Sequence, residues 1–208
     1  FNKSMKLASL LVVPSAFGLI AISYPLIQVL FERGAFVQSD TFATSKILNI
    51  LCLSLPALVY TKLFSNIFYA RNDTKTPMIV AFITMLFNLG FTIIFNELYG
   101  YIGIVIAISI SNWINTLLLY FISYVRGFMV MYKGILKDIF KITVISILMA
   151  LIVYFGVMGL MADISVYSVG LKLLSLILLM IIGGIFYFTA IILCGILNLR
   201  EIKRVLKK

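Results

Sequence analysis

The sequence predicts an all-α polytopic membrane protein with six transmembrane helices. Three observations lead there. The 208 residues are 63% hydrophobic and 12% charged, with a mean hydropathy of +1.16. Soluble domains carry about 25% charged residues, and a water-soluble fold of this size could not hide so much apolar surface. The apolar residues fall into six runs, each near the ~20 residues that a spanning helix needs. The runs also lack the alternation over about ten residues that marks a barrel strand, so helices are expected.

The first run, Leu7–Phe31, contains Pro14, Gly18 and Pro25. The second, Thr44–Tyr69, contains Pro56. Proline removes a backbone donor and bends a helix. In a transporter such a bend lines a cavity or forms a joint; elsewhere it is an ordinary membrane-helix kink. The second run also holds Lys62, the clear intramembrane charge, roughly 12 Å from the end of the run at 1.5 Å per residue. Burying it unpaired costs several kcal/mol, so it either faces a polar cavity or a partner, or snorkels toward the headgroups.

The third run, Met78–Asn96, carries Asn88. The fourth, Ile102–Val125, carries Ser111, Asn112 and Asn115 in "SISNWIN" at helical spacing. These form a polar stripe expected to act as interhelical hydrogen-bond glue, with Asn88 as a partner across the helix pair. Trp113 lies too deep for an interface anchor. The fifth and sixth runs are Ile139–Met161 and Val169–Leu197. Gly183–Gly184 in the sixth permits close helix packing or a bend.

The breaks Glu32–Thr41, Ala70–Pro77, Glu97–Tyr101, Arg126–Asp138 and Ala162–Ser168 are short and hold most of the charge. Of 17 Lys and Arg, 13 fall on one side of the alternating topology and 3 (Arg33, Lys46, Lys172) on the other, with Lys62 inside a span. The positive-inside rule makes the 13-charge side cytoplasmic, with both ends of the segment inside. The net charge of +10 is therefore a topology signal and not a nucleic-acid footprint. "LREIKRVLKK" and "YKGILKDIFK" interleave apolar and basic residues; they lie on an anionic leaflet or are ordinary basic helix ends.

Catalytic chemistry finds little material. The chain has no His, no HExxH, no CxxC pair and no GxxxxGK[ST]. No metal site, cofactor or catalytic residue is expected. Cys52 and Cys194 lie in apolar runs and read as small hydrophobes. None of the seven carboxylates sits mid-span, so no buried carboxylate is available for a proton relay. The chain opens at Phe1 without an initiator Met or a signal-peptide pattern, and reads as a fragment.

The polar box "FYARNDTKTP" (Phe68–Pro77) interrupts this oily chain. Asp73 and Thr74 suit a cap or turn, and Asp73 can satisfy backbone donors or hold Arg71. Pro77 suits a first helical turn, and Arg71 and Lys75 reach lipid phosphates. Together with "LFERGAF" (Leu30–Phe36) and the Lys62–Leu63 pair, the box resembles the C-terminal part of MurJ/MviN-type lipid II flippases, within the multidrug/oligosaccharidyl-lipid/polysaccharide exporter superfamily. The motif resemblance covers roughly Pro14–Tyr120; beyond it, hydropathy and position carry it. Asn66 departs from the family, where Pro is common.

The resemblance implies the C-lobe of a two-lobe, 14-helix transporter of the bacterial inner membrane. Residues 1–125 would be a four-helix part of the lobe, and 126–208 two additional helices with a basic cytoplasmic tail, beside a groove for the lipid tail. The implied substrate is undecaprenyl-pyrophosphate-linked disaccharide-pentapeptide (lipid II), and the implied partners are membrane lipids and the N-terminal lobe of the same protein. Lys62, Arg71 and Lys75 are the candidate substrate contacts. Arg33, Gly34, Asp73, Thr76 and Pro77 form the gate motif. Two rivals remain: a multidrug or ion antiporter of the same superfamily, and a non-transporting membrane scaffold for cell-wall synthesis. A membrane glycosyltransferase stands further off.

Overall fold

The computed structural model describes residues 1–129, 133–160 and 169–196. Among the described residues the six helices are α1 (Asn2–Phe31), α2 (Gln38–Tyr69), α3 (Lys75–Tyr99), α4 (Tyr101–Val125), α5 (Lys133–Leu160) and α6 (Val169–Leu193). Among the described residues there is no strand. All six are long and apolar enough to cross a membrane. The shortest span about 37 Å, more than the ~30 Å of a hydrocarbon core. The expected break at Ala162–Ser168 and the basic segment from Leu199 lie outside the described residues.

Helices α1 to α5 each begin before the corresponding apolar run. In α1, α2 and α3 the added first turn is polar, extending the helix beyond its apolar run. At α2 a free N–H finds an internal partner: the Asp40 carboxylate accepts from the Val37 N–H at 3.0 Å, half of a capping box. At the other end of the row, α6 stops at Leu193, short of the expected Leu197.

Among the described residues, three helices end in one device. After α2, Asp73 N–H bonds Phe68 C=O and Asn72 N–H bonds Tyr69 C=O, with Asn72 at φ 59°. After α4, Phe128 and Gly127 make the same pair of bonds to Ser123 and Tyr124; after α6, Ile196 and Gly195 bond Ile191 and Ile192. This is the Schellman pattern, which pairs carbonyls that a helix end leaves free. Asparagine can take the left-handed position because it tolerates positive φ.

The α3–α4 connection is a single residue, Gly100, at φ 59°. The helices cross so closely there that a Cβ on Gly103 would collide with the Phe95 carbonyl.

Packing does not follow chain order. Neighbours in space run α3, α4, α2, α1, α5, α6, with α6 also touching α1. Consecutive α2 and α3 barely touch, because α4 lies between α2 and α3. One apolar cluster joins Met5, Phe64, Phe68, Val80, Leu119 and Ile135 at the end that carries the polar box. A second joins Leu10, Val13, Ile142, Met149, Tyr187 and Ile191, and a third joins Ile22, Val153 and Leu176. Helix α3 keeps most of its apolar surface exposed, including Phe82, Phe87 and Ile93. A helix apolar all round belongs in lipid or against further helices.

Candidate functional site

The polar box folds into a clasp. Asp73 Oδ1 accepts from the Thr76 backbone N–H at 3.0 Å, and Oδ2 from the Thr76 hydroxyl at 2.7 Å. That arrangement caps the first turn of α3, with Thr76 and Pro77 both buried. Arg126, just after α4, donates to Asp73 Oδ2 at 2.7 Å and to Thr76 Oγ1 at 3.1 Å. The Asp73 carboxyl is held below the usual carboxylate range, first by the Thr76 hydroxyl, then by the Thr76 N–H, with Arg126 adding to both; partial desolvation works the other way.

Arg126 therefore takes the place that the sequence allowed for Arg71 as the ionic partner of Asp73. The Arg71 guanidinium instead lies 4.1 Å from the Phe128 ring centroid. Phe128 stands edge-on to Phe68, so the turn after α4 is pinned onto the end of α2. Lys75 is exposed and, among the described residues, makes no ion pair. A second ion pair, Lys6–Asp138 at 2.9 Å, ties α1 to α5.

Arg33 and Gly34 sit at the opposite end of the bundle, in the α1–α2 turn. Arg33 donates back to the Val29 carbonyl at 3.3 Å, and Gly34 takes φ 61°. Glu32 accepts from the Thr41 hydroxyl at 2.6 Å across that turn.

Lys62 is exposed on α2, in line with Leu58 and Asn66 and turned away from the packed core. One residue before it, the Thr61 and Thr116 hydroxyls meet at 2.8 Å, and Thr116 donates to the Ala57 carbonyl at 2.8 Å. Trp113 Nε1 donates to the Leu53 carbonyl at 3.1 Å, so this indole serves α2 and not a headgroup.

The polar stripe is assembled in one place. Asn88 from α3 and Ser111, Asn112 and Asn115 from α4 line a cleft of about 270 Å³. Asn88 Oδ1 accepts from Thr92 at 3.1 Å. Ser111 Oγ and Asn115 Oδ1 are buried and, among the described residues, have no hydrogen-bond partner. The expected bond from Asn88 across to this stripe is not among those formed.

A larger cavity, about 460 Å³, opens between α1, α5 and α6. Its lining is almost entirely apolar, including Leu19, Ile22, Met180 and Phe188 beside Pro14 and Gly184. Gly183 lets α5 and α6 approach, since a Cβ there would come 2.7 Å from a Val153 methyl; a Cβ on Gly184 meets nothing within 4 Å.

Residues 1–175 match the protein-family model described as lipid II flippase MurJ. The chain belongs to the lipid II flippase MurJ family. Two curated MurJ relatives agree. The probable lipid II flippase of Rickettsia prowazekii is 33% identical over 158 residues, covering 74% of this chain and 31% of that protein. The lipid II flippase of Thermosipho africanus is 38% identical over 153 residues, covering 74% of this chain and 30% of that protein. A solved structure titled lipid II flippase MurJ, inward closed conformation, superposes with a TM-score of 0.67 at 33% identity, covering 91% of this chain and 39% of that one. This chain thus spans about a third of the length of the MurJ proteins it matches. It is a segment of a multi-pass protein of the bacterial inner membrane, and its family is one of transporters.

Sequence reasoning picked out the box but missed Arg126, Phe128 and Tyr187. "RGF" after the fourth run does carry a readable signal, because a Gly just past a helix marks a Schellman turn that folds its neighbours back. Nothing in the local sequence of Tyr187 reveals its partner 177 residues away.

Proposed function

We propose that this segment forms part of the C-lobe of a lipid II flippase that works by alternating access. The single observation that carries the reading is the match of residues 1–175 to the MurJ family. Residues 1–125 form the four-helix part of the lobe; 126–208 add two helices packed on α1. The basic end faces the cytoplasm, and the N-terminal lobe of the same protein closes the other wall of the transport cavity. Transport moves a bound lipid across the membrane without bond chemistry; the protein is not an enzyme.

The headgroup side is served by Lys75, Arg71 and Lys62. Exposed Lys75 supports a role in meeting the anionic pyrophosphate as it arrives; Arg71 stands beside it on Phe128. Lys62 faces the lobe interface, deeper along the path. The clasp of Asp73, Thr76 and Arg126 keeps α2, α3 and α4 together at this gate while the lobes rock. The apolar cavity between α1, α5 and α6 supports a seat for the polyprenyl chain. An inside-negative potential helps a dianion outward, by up to about 4.6 kcal/mol per 100 mV if it crosses the whole field uncompensated.

Cells depleted of their own flippase provide the test. Expression of the full-length protein should restore lipid II to the outer leaflet, and Gly184→Leu, which fills the apolar cavity, should weaken rescue without lowering expression. A well-expressed protein that leaves lipid II inside contradicts the reading.

A further inference from the structure

Pro14 lies inside α1 and has no N–H, so the carbonyl of Leu10, four residues earlier, loses its helical donor. In hydrocarbon a bare carbonyl costs several kcal/mol, so bent membrane helices are held where a neighbour supplies the missing donor. Here α6 supplies it. The Tyr187 hydroxyl donates to the Leu10 carbonyl at 2.9 Å, and the side chain is only 3% exposed. Its ring packs in the cluster of Leu10, Val13, Ile142 and Met149. Pro14 and Tyr187 also both line the 460 Å³ apolar cavity.

We propose that Tyr187 is a positioning residue for transport: its hydroxyl takes the carbonyl that Pro14 orphans, and so sets both the bend of α1 and the width of the apolar groove beside it. One hydrogen bond then links the helix pair α5–α6 to the joint in α1. A change of bend at Pro14 must stretch or release this bond, and a change in the groove wall at α6 acts back on the bend. The link to transport rests on the reading of that groove as the seat of the lipid chain.

The proposal makes Tyr187 and Pro14 energetically dependent on each other. With alanine at position 14 the backbone N–H returns and satisfies Leu10, so that carbonyl no longer needs the Tyr187 hydroxyl, which keeps Ser146 on α5 as a neighbour. The experiment is a double-mutant cycle in the full-length protein: Tyr187→Phe, which keeps the ring, with Pro14 and with Pro14→Ala. Two readouts are taken: the lipid II transport rate in proteoliposomes, and the distance distribution between spin labels at positions 7 and 30, in a cysteine-free background without lipid II.

With Pro14 present, Tyr187→Phe should broaden the distance distribution and slow transport about three- to tenfold, the effect of one intramembrane hydrogen bond. With Pro14→Ala, it should leave the label distances unchanged and slow transport clearly less. Equal effects in both backgrounds, including equal failure to fold, or no effect in either, overturn the proposal. If only the variant with Pro14 fails to fold, the dependence is upheld. Gly184→Leu separates the two ideas. Lipid capture insensitive to it removes the groove reading, while the label distances still decide the link between Tyr187 and Pro14.

Discussion

Asp73 and Arg126 lie 53 residues apart in sequence and meet at 2.7 Å, tying the α2–α3 turn to the end of α4. The same Asp73 Oδ2 also accepts from the Thr76 hydroxyl, so one carboxylate both caps α3 and holds α4. Since α2 and α3 barely touch, the turn is held against α4, by this contact together with Arg71 and Phe68 on Phe128.

Asp73→Ala should therefore lower the yield of folded protein more than Arg126→Ala, because it removes the cap as well as the ion pair. The double variant should lose less than the sum of the two. Acid adds a second check. The lowered pKa means that the carboxylate stabilises the fold fully above the ordinary Asp value, about 3.9, and loses that contribution as pH falls through its folded value. Asp73→Asn should flatten this acid-side loss of thermal stability. Unchanged acid sensitivity in the variant contradicts the assignment.

The α3–α4 crossing predicts a sharp contrast between two glycines. Gly103→Ala drives a methyl into the Phe95 backbone and should cost about 1–3 kcal/mol, or more if the helices cannot shift. Gly90→Ala, with nothing within 4 Å, should be neutral or slightly stabilising. Similar losses of thermal stability at both sites would mean that the crossing is looser than described.

Lys62→Met should slow transport about tenfold, the loss of one charge-assisted contact, and leave folding almost unchanged, since the side chain is exposed and makes no ion pair among the described residues. Normal transport by well-expressed Lys62→Met leaves snorkelling as its role.

The paired substitution Arg71→Ala with Lys75→Ala should raise the lipid II concentration for half-maximal transport about three- to tenfold. Lys75→Ala should carry most of the effect, because Arg71 is also engaged with Phe128. A collapse of thermal stability with unchanged half-maximal concentration would make the box structural only.

Much of the fold was legible because membrane spans are written in long apolar runs. Six runs are readable, and among the described residues a helix stands on each of them. The start of α6 falls at the expected Val169 and that of α4 one residue early, whereas α1, α2, α3 and α5 begin three to six residues before their apolar runs, since a polar first turn such as Gln38–Thr41 adds helix without hydropathy. The spatial order was not legible: nothing local says that α4 separates α2 from α3. At the candidate site, the capping role of Asp73 followed from its place before Thr76 and Pro77. Its ionic partner did not, because Arg71 two residues away and Arg126 at the next basic turn carry the same charge. Tyr187 was invisible for a similar reason: Pro14 announces an orphan carbonyl, but only the fold brings the donor.

The most direct measurement uses the purified full-length protein in proteoliposomes with lipid II placed in the leaflet facing its basic end. Positions 75 and 99, labelled as cysteines with an impermeant reagent, identify the leaflets. Position 99 should react from outside on intact cells and position 75 only after the membrane is opened. The account predicts that lipid II becomes accessible in the opposite leaflet at a rate that depends on the protein, is slowed by Lys62→Met, and rises with a potential negative on the basic side. A folded, correctly oriented protein that leaves lipid II in its starting leaflet contradicts it.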